Sequence, residues 1–155
     1  MTREIILCSG EKVLVDDEDY KLLNSVKWYA SYTSSNVYAI HSFRIKGIKR
    51  TVLMHQFILT PEDGFDIDHI NGEGLDNRRC NLRLVTRRQN LQNRHTEKSS
   101  QYPGVSWNKR YKKYASQITI NGKAHGIIMC DDEFEAFTAY RVAVKVLTGE
   151  DVIYP

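Results

Sequence analysis

Asp68 and His69 stand side by side in the segment FDIDHI, and two asparagines, Asn81 and Asn90, follow the histidine at distances of 12 and 21 residues. A neutral imidazole can take a proton from water at neutral pH, because its ordinary pKa is about 6.5. Asp68 and Asn90 carry oxygen atoms, which hard divalent cations prefer, and such a cation neutralises the charge that develops on a phosphate. Asn81 can hold the imidazole in one orientation. These four residues predict hydrolysis of a phosphodiester bond.

Because these side chains are far apart in the sequence, a compact unit must bring them together. FDIDHI and LRLVT are typical of short strands, and the polar segment NGEGLDNRRCN between them predicts a long loop. Thr86, with Gln89 three residues later, fits a capping box, which predicts a helix from Arg87 through about Arg94. A strand–loop–strand–helix unit over residues 65–94 can place the four residues at one spot.

This segment resembles the HNH nucleases of the phage and intron homing type. The resemblance rests on MHQFIL upstream, DHINGEGLDNRRCNLR in the centre and TRRQN at the helix start. It implies a ββα-metal fold in which His69 is the general base, Asp68 and Asn90 are ligands of Mg²⁺ or Mn²⁺, and Asn81 orients the imidazole. Family members often carry histidine where this chain has Asn90, and a subset with asparagine uses a single metal ion. Nicking of one strand and cleavage of both are therefore both compatible with the sequence.

Two further sets of residues near this motif have alternative interpretations. His55 matches a family position before the core, where packing and phosphate contact are equally compatible with the sequence. Six arginines and no acid lie from Asn77 to Arg94, a pattern typical of contact with a polyanion or of a solvated face. Four of these arginines can clamp phosphate through bidentate hydrogen bonds or form surface salt bridges: Arg78, Arg79, Arg87 and Arg88.

The C-terminal third of the chain predicts a second, smaller α+β unit. YPGVSW, KYASQITI and KAHGIIM predict three short strands, joined by turns near Lys112 and at Asn121-Gly122. The segment DDEFEAFTAYRVAVKVLTG predicts a helix that Asp132 and Glu135 can cap and Gly149 can end. One face of this helix is apolar and should pack on the sheet, through Phe137, Tyr140, Val144 and Leu147. The polar residues before the unit predict a linker over residues 95–101.

This second unit resembles the plant ethylene-response-factor (Apetala-type) DNA-binding domain, which also accompanies HNH nucleases in mobile elements. The resemblance rests on Tyr102, Gly104-Val105, the strand KYASQI, Asn121-Gly122, and a helix with Glu135-Ala136 and Ala139-Tyr140. It implies a three-stranded antiparallel sheet, packed on one helix, that enters the major groove of duplex DNA. On this basis the residues that face DNA or support the contact are Ser106, Trp107, Asn108, Lys109, Arg110, Lys112, Lys113, Tyr114, Gln117 and Thr119.

The base specificity of the plant domains does not carry over. Those domains have arginine where this chain has Ser106, Asn108 and Thr119. From Lys98 to Cys130 there are six basic residues and no acid, which fits a polyanionic partner. The alternative is a small packed unit whose basic turn is only solvated and whose Trp107 and Tyr114 are core aromatics.

The residues before the motif predict a β-rich region. A hairpin is expected over residues 3–15, followed by a short helix that starts in the acidic segment DDED and ends near Asn24. Strands are expected over residues 29–40 and 42–53, with breaks at Ser34-Ser35-Asn36 and at Gly47. A short apolar stretch, HQFIL, then leads to the motif.

Length and composition limit the classes of protein to which the chain can belong. Its 155 residues fit one ordinary domain or two small ones, and 41% apolar and 26% charged residues argue against full disorder and against a coiled coil. No apolar run approaches the roughly 18 residues that span a bilayer, and the N-terminus lacks a signal-peptide profile. Three widely spaced cysteines argue against a disulfide framework and a cysteine-ligated zinc site. We expect a soluble protein of the cytoplasm (that of the host cell if a phage encodes it), with no membrane association and with a monomer favoured.

The sequence therefore predicts an α+β protein in two parts. An HNH nuclease domain over residues 1–94, with its ββα-metal core at about 65–94, precedes the linker and a DNA-binding domain over residues 102–155. The predicted function is site-directed, Mg²⁺- or Mn²⁺-dependent cleavage or nicking of double-stranded DNA by a homing-type endonuclease of phage or mobile-element origin. One alternative is a DNA-binding regulator that retains a degenerate HNH fold without cutting. Another is an accessory protein of DNA packaging or recombination.

Overall fold

The computed structural model describes residues 1–92 and 99–154. The predicted helix end at Arg94 and residues 95–98 of the predicted linker lie outside the described residues. Two compact units divide the chain, Met1–Arg87 and Arg88–Pro155. Strands and helices occur in both, and the four sheets of the described residues are small and antiparallel, which confirms the α+β class. No helix within those residues is long and apolar enough to cross a membrane.

The first unit begins with the predicted hairpin. β1 (Thr2–Ile6) pairs antiparallel with β2 (Lys12–Asp16), and α1 (Asp17–Leu23) follows directly. Three acidic residues in the first turn of α1 suit the positive end of the helix dipole. Alternation along the two strands buries one face of the hairpin, which is formed by Ile5, Val13 and Val15.

A three-stranded antiparallel sheet follows in the order β3–β4–β5. Its strands are β3 (Tyr29–Tyr32), β4 (Val37–Ile45) and β5 (Ile48–Leu53). The breaks near Ser34-Ser35-Asn36 and at Gly47 are present, but β4 runs through His41, where the prediction separates two strands. The apolar stretch before the motif forms a short helix, α2 (Met54–Ile58). Buried residues of this helix share one core with the hairpin, α1 and Trp28.

The predicted strand–loop–strand–helix unit is present. β6 (Phe65–His69) and β7 (Leu82–Thr86) form a two-stranded antiparallel sheet, and a single 3₁₀ turn (Arg79–Asn81) leads from the loop into β7. α3 (Arg87–Gln92) begins directly after β7, where the capping signal predicts it, and the boundary between the two units falls within this helix. The backbone therefore puts Asp68 and His69 at the end of a strand, as the sequence predicts.

The second unit contains the predicted three-stranded antiparallel sheet packed on one helix. β8 (Val105–Asn108), β9 (Lys113–Ile120) and β10 (Lys123–Cys130) form the sheet in the order β10–β9–β8. α4 (Glu133–Thr148) covers one face of it. The carboxylate of Asp132 accepts a hydrogen bond from the Glu135 N–H at 2.7 Å, and Gly149 ends α4 in the left-handed conformation.

Two predictions for this unit need correction. Leu147 is 56% exposed, whereas Phe137, Tyr140 and Val144 are buried. Leu147 lies about 80° around the helix axis from Phe137, and therefore at the margin of the buried face. The last predicted linker residues, 99–101, are folded against the unit: Ser99 Oγ accepts from the Trp107 N–H at 3.0 Å, and the N–H of Gln101 donates to Glu133 at 3.1 Å. Polar composition does not distinguish a linker from a segment whose polar groups bind the backbone.

Candidate active site

His69 is the last residue of β6, and its side chain is buried. Its Nε2 lies 3.4 Å from Asn77 Oδ1. The Nδ2 group of Asn77 donates to the Gly74 carbonyl at 3.3 Å, which orients the amide so that its oxygen faces the ring. Because that oxygen can only accept, His69 Nε2 carries the proton in the neutral ring. Nδ1 is then the basic atom of the imidazole.

The surroundings of His69 favour its neutral form. Burial lowers the pKa of His69, while the hydrogen bond to Asn77 and the charges of Asp68 and Asp76 act in the opposite direction. The effect of burial is the largest, so the pKa lies below its ordinary value. A neutral imidazole with a basic Nδ1 can accept a proton at neutral pH.

His55 lies beside this residue. The rings of His55 and His69 meet edge to face with centroids 4.9 Å apart, and the ring of Tyr38 lies 5.9 Å from His55 and 6.0 Å from His69. Burial, and then the charge of His69, lower the pKa of His55 to about 4. His55 is therefore uncharged at neutral pH. The structure places it in a packed aromatic cluster, which corresponds to the packing alternative.

Asn81 does not reach the imidazole, and its predicted role needs correction. Its Nδ2 donates to Asn71 Oδ1 at 2.9 Å and to the Asp76 carbonyl at 2.8 Å, and its Oδ1 accepts from the Asn71 N–H at 3.0 Å. The asparagine in contact with His69 is Asn77, which lies in the predicted loop. Asn81 is the last residue of the 3₁₀ turn before β7. From there its amide bonds to two residues of the loop, Asn71 and Asp76. It braces the loop that carries Asn77.

The strand register places Arg83 directly opposite Asp68. Arg83 Nε donates to Asp68 Oδ2 at 2.9 Å, and Nη2 lies 2.9 Å from the same oxygen. Both side chains are largely buried, with 19% and 11% exposure. A guanidinium so placed fixes the direction of the Asp68 side chain.

One residue next to His69 in the chain carries a ligand type that suits a hard cation. Asp68 offers carboxylate oxygen, the ligand type that Mg²⁺ and Mn²⁺ prefer. Within residues 1–92 and 99–154, no group of three His, Cys, Asp or Glu side chains is placed to hold a metal ion. Asn90, the second predicted ligand, is a residue of α3 within the second unit, and its partnership with Asp68 stays a prediction.

Side chains of the first unit fix the loop between β6 and β7. Asn36, in the turn before β4, accepts from the Gly74 N–H at 3.1 Å and donates to the Gly72 carbonyl at 2.6 Å. Gly74 packs so closely that a Cβ there would lie 2.5 Å from the Val37 carbonyl oxygen and 2.7 Å from the Tyr38 ring. The loop is thus held by the three-stranded sheet.

The N-terminal hairpin holds the same loop from another side. The N–H of Leu14 donates to the Leu75 carbonyl at 2.9 Å, and the N–H of Asn77 donates to the Leu14 carbonyl at 2.8 Å. The N–H of Arg79 donates to Asp16 Oδ2 at 2.7 Å. The position of Asn77, and through it the His69 ring, depends on these contacts.

Two of the four arginines predicted as phosphate clamps are bound to carboxylates. Arg78 donates to both oxygens of Asp76, at 2.7 and 2.6 Å. Arg79 donates to both oxygens of Asp19, at 2.8 Å each. For Arg78 and Arg79 the salt-bridge interpretation therefore applies. Asp19 lies 60 residues before Arg79 and cannot be recognised as its partner from local sequence, whereas Asp76 lies only two residues before Arg78.

The other two arginines differ in exposure. Arg87 is 83% exposed and lies 4.0 Å from Asp66, whereas Arg88 is 22% exposed and lies 3.8 Å from Glu150. Of the four, Arg87 has the most accessible guanidinium for a phosphate.

Alternation along β9 separates the predicted DNA-facing residues of the second unit into two groups. Gln117 and Thr119 are exposed on the face opposite α4, while Ser116 and Ile118 are buried toward it. Ser106 is opposite Ala115 and lies on the same exposed face as Gln117.

Tyr114 lies on the other face, and its prediction as a DNA-facing residue needs correction. It packs against the core of the unit, and its ring meets that of Trp107 edge to face at 4.8 Å. Trp107 itself is 37% exposed. Period-two alternation explains the error, because an even-numbered position cannot share a face with Gln117 in an unbroken strand.

The turn between β8 and β9 carries most of the predicted basic residues. Lys109, Arg110 and Lys112 are exposed, while Lys113 pairs with Asp131 at 3.2 Å. The Asn108 side-chain oxygen accepts from the N–H groups of Arg110 and Tyr111 at 3.0 and 3.2 Å, so it organises the turn.

Comparison with known proteins shows a similarity to HNH endonucleases over part of the chain. Residues 60–92 match the family model described as HNH endonuclease. The chain is 39% identical over 64 residues to Protein 3.8 of Escherichia phage T7, an alignment covering 40% of this chain and 53% of that protein. It is 28% identical over 142 residues to an uncharacterized HNH endonuclease of Acanthamoeba polyphaga mimivirus, covering 91% of this chain and 73% of that protein.

The family model and the mimivirus relative both carry the description HNH endonuclease. The chain spans about half the length of the T7 protein and about three quarters of the mimivirus protein. No solved structure gives a significant match.

Proposed function

We propose that this protein is a metal-dependent endonuclease of the HNH homing type that hydrolyses a phosphodiester bond in duplex DNA at a directed site. The observation that carries the proposal is the buried, neutral imidazole of His69, whose Nε2 donates to Asn77 and whose Nδ1 is basic, in the residue that follows Asp68 in the chain. This combination supplies a base and an anionic oxygen at adjacent positions. The match of residues 60–92 to HNH endonucleases supports the same chemistry.

In this mechanism His69 Nδ1 takes a proton from the attacking water. Asn77 keeps the ring in the tautomer and direction that this step needs, and the buried His55 packs against the ring without carrying charge. Asp68 and Asn90 are the residues that would hold Mg²⁺ or Mn²⁺, which when bound stabilises negative charge on the phosphate and the leaving oxygen. Arg83 holds the Asp68 carboxylate in direction.

The second unit is proposed to direct the enzyme to its site. Support comes from its exposed sheet face with Ser106, Gln117 and Thr119, and from the exposed basic turn with Lys109 and Arg110. A sheet face of this kind can enter a major groove while basic residues at its end contact phosphates. This proposal assigns cutting to the first unit and recognition to the second.

The test is cleavage of supercoiled plasmid by the full-length protein with Mg²⁺ or Mn²⁺, with EDTA, and with the His69→Ala variant. We expect nicked or linear product only from the wild type with a metal ion. Equal product with EDTA, or from His69→Ala, would refute the mechanism. Tight duplex binding by the wild type without cleavage under any metal condition would favour the non-cleaving regulator.

A further inference from the structure

The hairpin of β4 and β5 ends in an exposed tip. The nine consecutive residues from Phe43 to Thr51, here called the β4–β5 ribbon, are all exposed. The turn has Lys46 at φ 49° and Gly47 at φ 82°, which fits a two-residue type I′ hairpin, a tight connection that matches the twist of the strands. The ribbon is therefore an ordered projection.

The ribbon carries four basic residues and no acid: Arg44, Lys46, Lys49 and Arg50. The chain has no acidic residue from Tyr20 to Pro61, so its immediate sequence offers these cations no partner. Within the described residues none of the four forms a salt bridge, in contrast to Arg78 and Arg79. No carboxylate of residues 1–92 and 99–154 therefore forms a salt bridge with the cations of the ribbon.

The strand register adds a second observation. Arg44 is directly opposite Lys49, so two like charges face each other across the pair. Such a cross-strand pair opposes hairpin formation. The tip is exposed, so no buried contact compensates for this repulsion. A bound polyanion would supply the missing negative charge.

The register also distributes the basic residues over both faces of the ribbon. Arg44 and Lys49 lie on one face, and Arg50 lies on the other face opposite Phe43. A two-stranded ribbon is narrow enough for the major groove of B-DNA, where cations on both faces can reach the phosphates of the two flanking strands.

We propose that the β4–β5 ribbon binds duplex DNA and supplies phosphate contacts to the first unit itself. The inference rests on the proposed function in that duplex DNA is the substrate, and it adds a contact surface outside the second unit. These contacts do not select a base sequence, since they are made to phosphates. They hold the catalytic unit on DNA independently of site recognition.

The test is a salt titration of binding by the full-length protein in EDTA, which prevents metal-dependent cutting. The ribbon variant is Arg44→Gln/Lys49→Gln/Arg50→Gln. The control variant is Arg3→Gln/Lys12→Gln/Lys145→Gln, which removes the same charge from cations already paired with Asp17, Glu4 and Asp151. Fluorescence anisotropy with a labelled random-sequence duplex gives Kd at each salt concentration, and an RNA hairpin of equal length is the second probe.

Each phosphate contact adds about 0.9 to the slope of log affinity against log salt, so the ribbon variant should lose about 2 to 3 from this slope. Its Kd for the duplex should rise about tenfold or more at moderate salt, while the control variant changes the slope by less than about 1. Because the variant removes a like-charge pair, its melting temperature should not fall. An unchanged slope and Kd, or a loss confined to the RNA probe, would overturn the inference.

Plasmid cleavage by the same preparations separates this inference from the proposed function. If the wild type binds the duplex through the ribbon but never cuts, the nuclease proposal fails and the ribbon inference stands. If the wild type cuts, and the ribbon variant binds and cuts DNA as well as the wild type, the ribbon inference fails and the nuclease proposal stands.

Discussion

The rings of His55 and His69 meet edge to face, with centroids 4.9 Å apart, although the two residues belong to α2 and β6. Both rings are buried, and burial lowers the pKa of each. Protonation of either imidazole is therefore disfavoured in the folded protein. This relationship links the candidate general base to the acid stability of the first unit.

His55→Phe should make the free energy of unfolding less sensitive to acid. The pKa of His55 is about 4 in the folded protein and about 6.5 when unfolded, so the unfolded chain binds the proton more tightly. Stability contributed by the neutral ring is present above pH 6.5 and is lost as the pH falls toward 4. Between pH 7.5 and 5.0 this loss is about 2 kcal/mol.

The measurement is urea unfolding of the wild type and His55→Phe at both pH values. The phenylalanine retains a ring in the cluster but cannot titrate. For each protein the free energy of unfolding at pH 5.0 is compared with its own value at pH 7.5, so a constant effect of the substitution cancels. An equal loss of stability in both proteins would show that His55 does not titrate in this range.

His69→Ala should lower the cleavage rate by about 10²–10⁴-fold while the Kd for DNA stays nearly unchanged, because the ring acts in the chemical step. Asn77→Ala should lower the rate by about 10- to 100-fold, since it orients the ring without touching the substrate. Single-turnover cleavage and binding in EDTA provide the two measurements.

Asn81→Ala is the matched control for Asn77→Ala. Its three hydrogen bonds brace the loop, so its loss should cost about 1–3 kcal/mol of stability and change the rate little at temperatures where the variant is folded. A larger rate loss in Asn81→Ala than in Asn77→Ala, with both folded, would return the orienting role to Asn81.

Gly74→Ala should destabilise the first unit by about 1–3 kcal/mol, because its Cβ meets a backbone oxygen and the Tyr38 ring, neither of which can move freely. Gly126→Ala is the control, since a Cβ there has nothing within 4 Å. Thermal unfolding of the two variants checks the difference. Equal melting temperatures would mean that the loop shifts to accept the methyl group.

Gln117→Ala and Tyr114→Ala should have different effects, although the residues are close on β9. Gln117 is exposed, so its loss should leave stability unchanged and weaken binding to the preferred site by about 1–3 kcal/mol. Tyr114 packs in the core, so its loss should cost about 2 kcal/mol or more of stability. Binding to selected and random duplexes, with melting temperatures, distinguishes the two. Equal affinities of Gln117→Ala and wild type for the selected site would remove Gln117 from recognition.

The elements themselves could be predicted, because their signals are local. The Asn121-Gly122 turn, the Asp132 cap and the Gly149 end each depend on residues within one turn of the chain, and each is present. The adjacent Asp68 and His69 also occur at the strand end that their pattern predicts.

The contacts of the site could not be predicted in the same way. Arg79 pairs with Asp19, 60 residues earlier in the chain, and nothing near Arg79 in the sequence indicates this partner. The choice between Asn77 and Asn81 depends on how the loop folds back, since both residues follow the same strand. Arg83 could have been found, because the antiparallel register that joins the two predicted strands determines what lies opposite Asp68.

Two residues that hold the loop, Leu14 and Asp16, lie well before the family match at 60–92. Leu14 bonds to Leu75 and Asn77, and Asp16 bonds to Arg79. A graft of residues 60–92 into another protein would leave these donors and acceptors behind. The loop would then lose the groups that position Asn77. As an exchangeable cassette, whether in natural recombination or in engineering, the segment that positions His69 therefore includes the N-terminal hairpin.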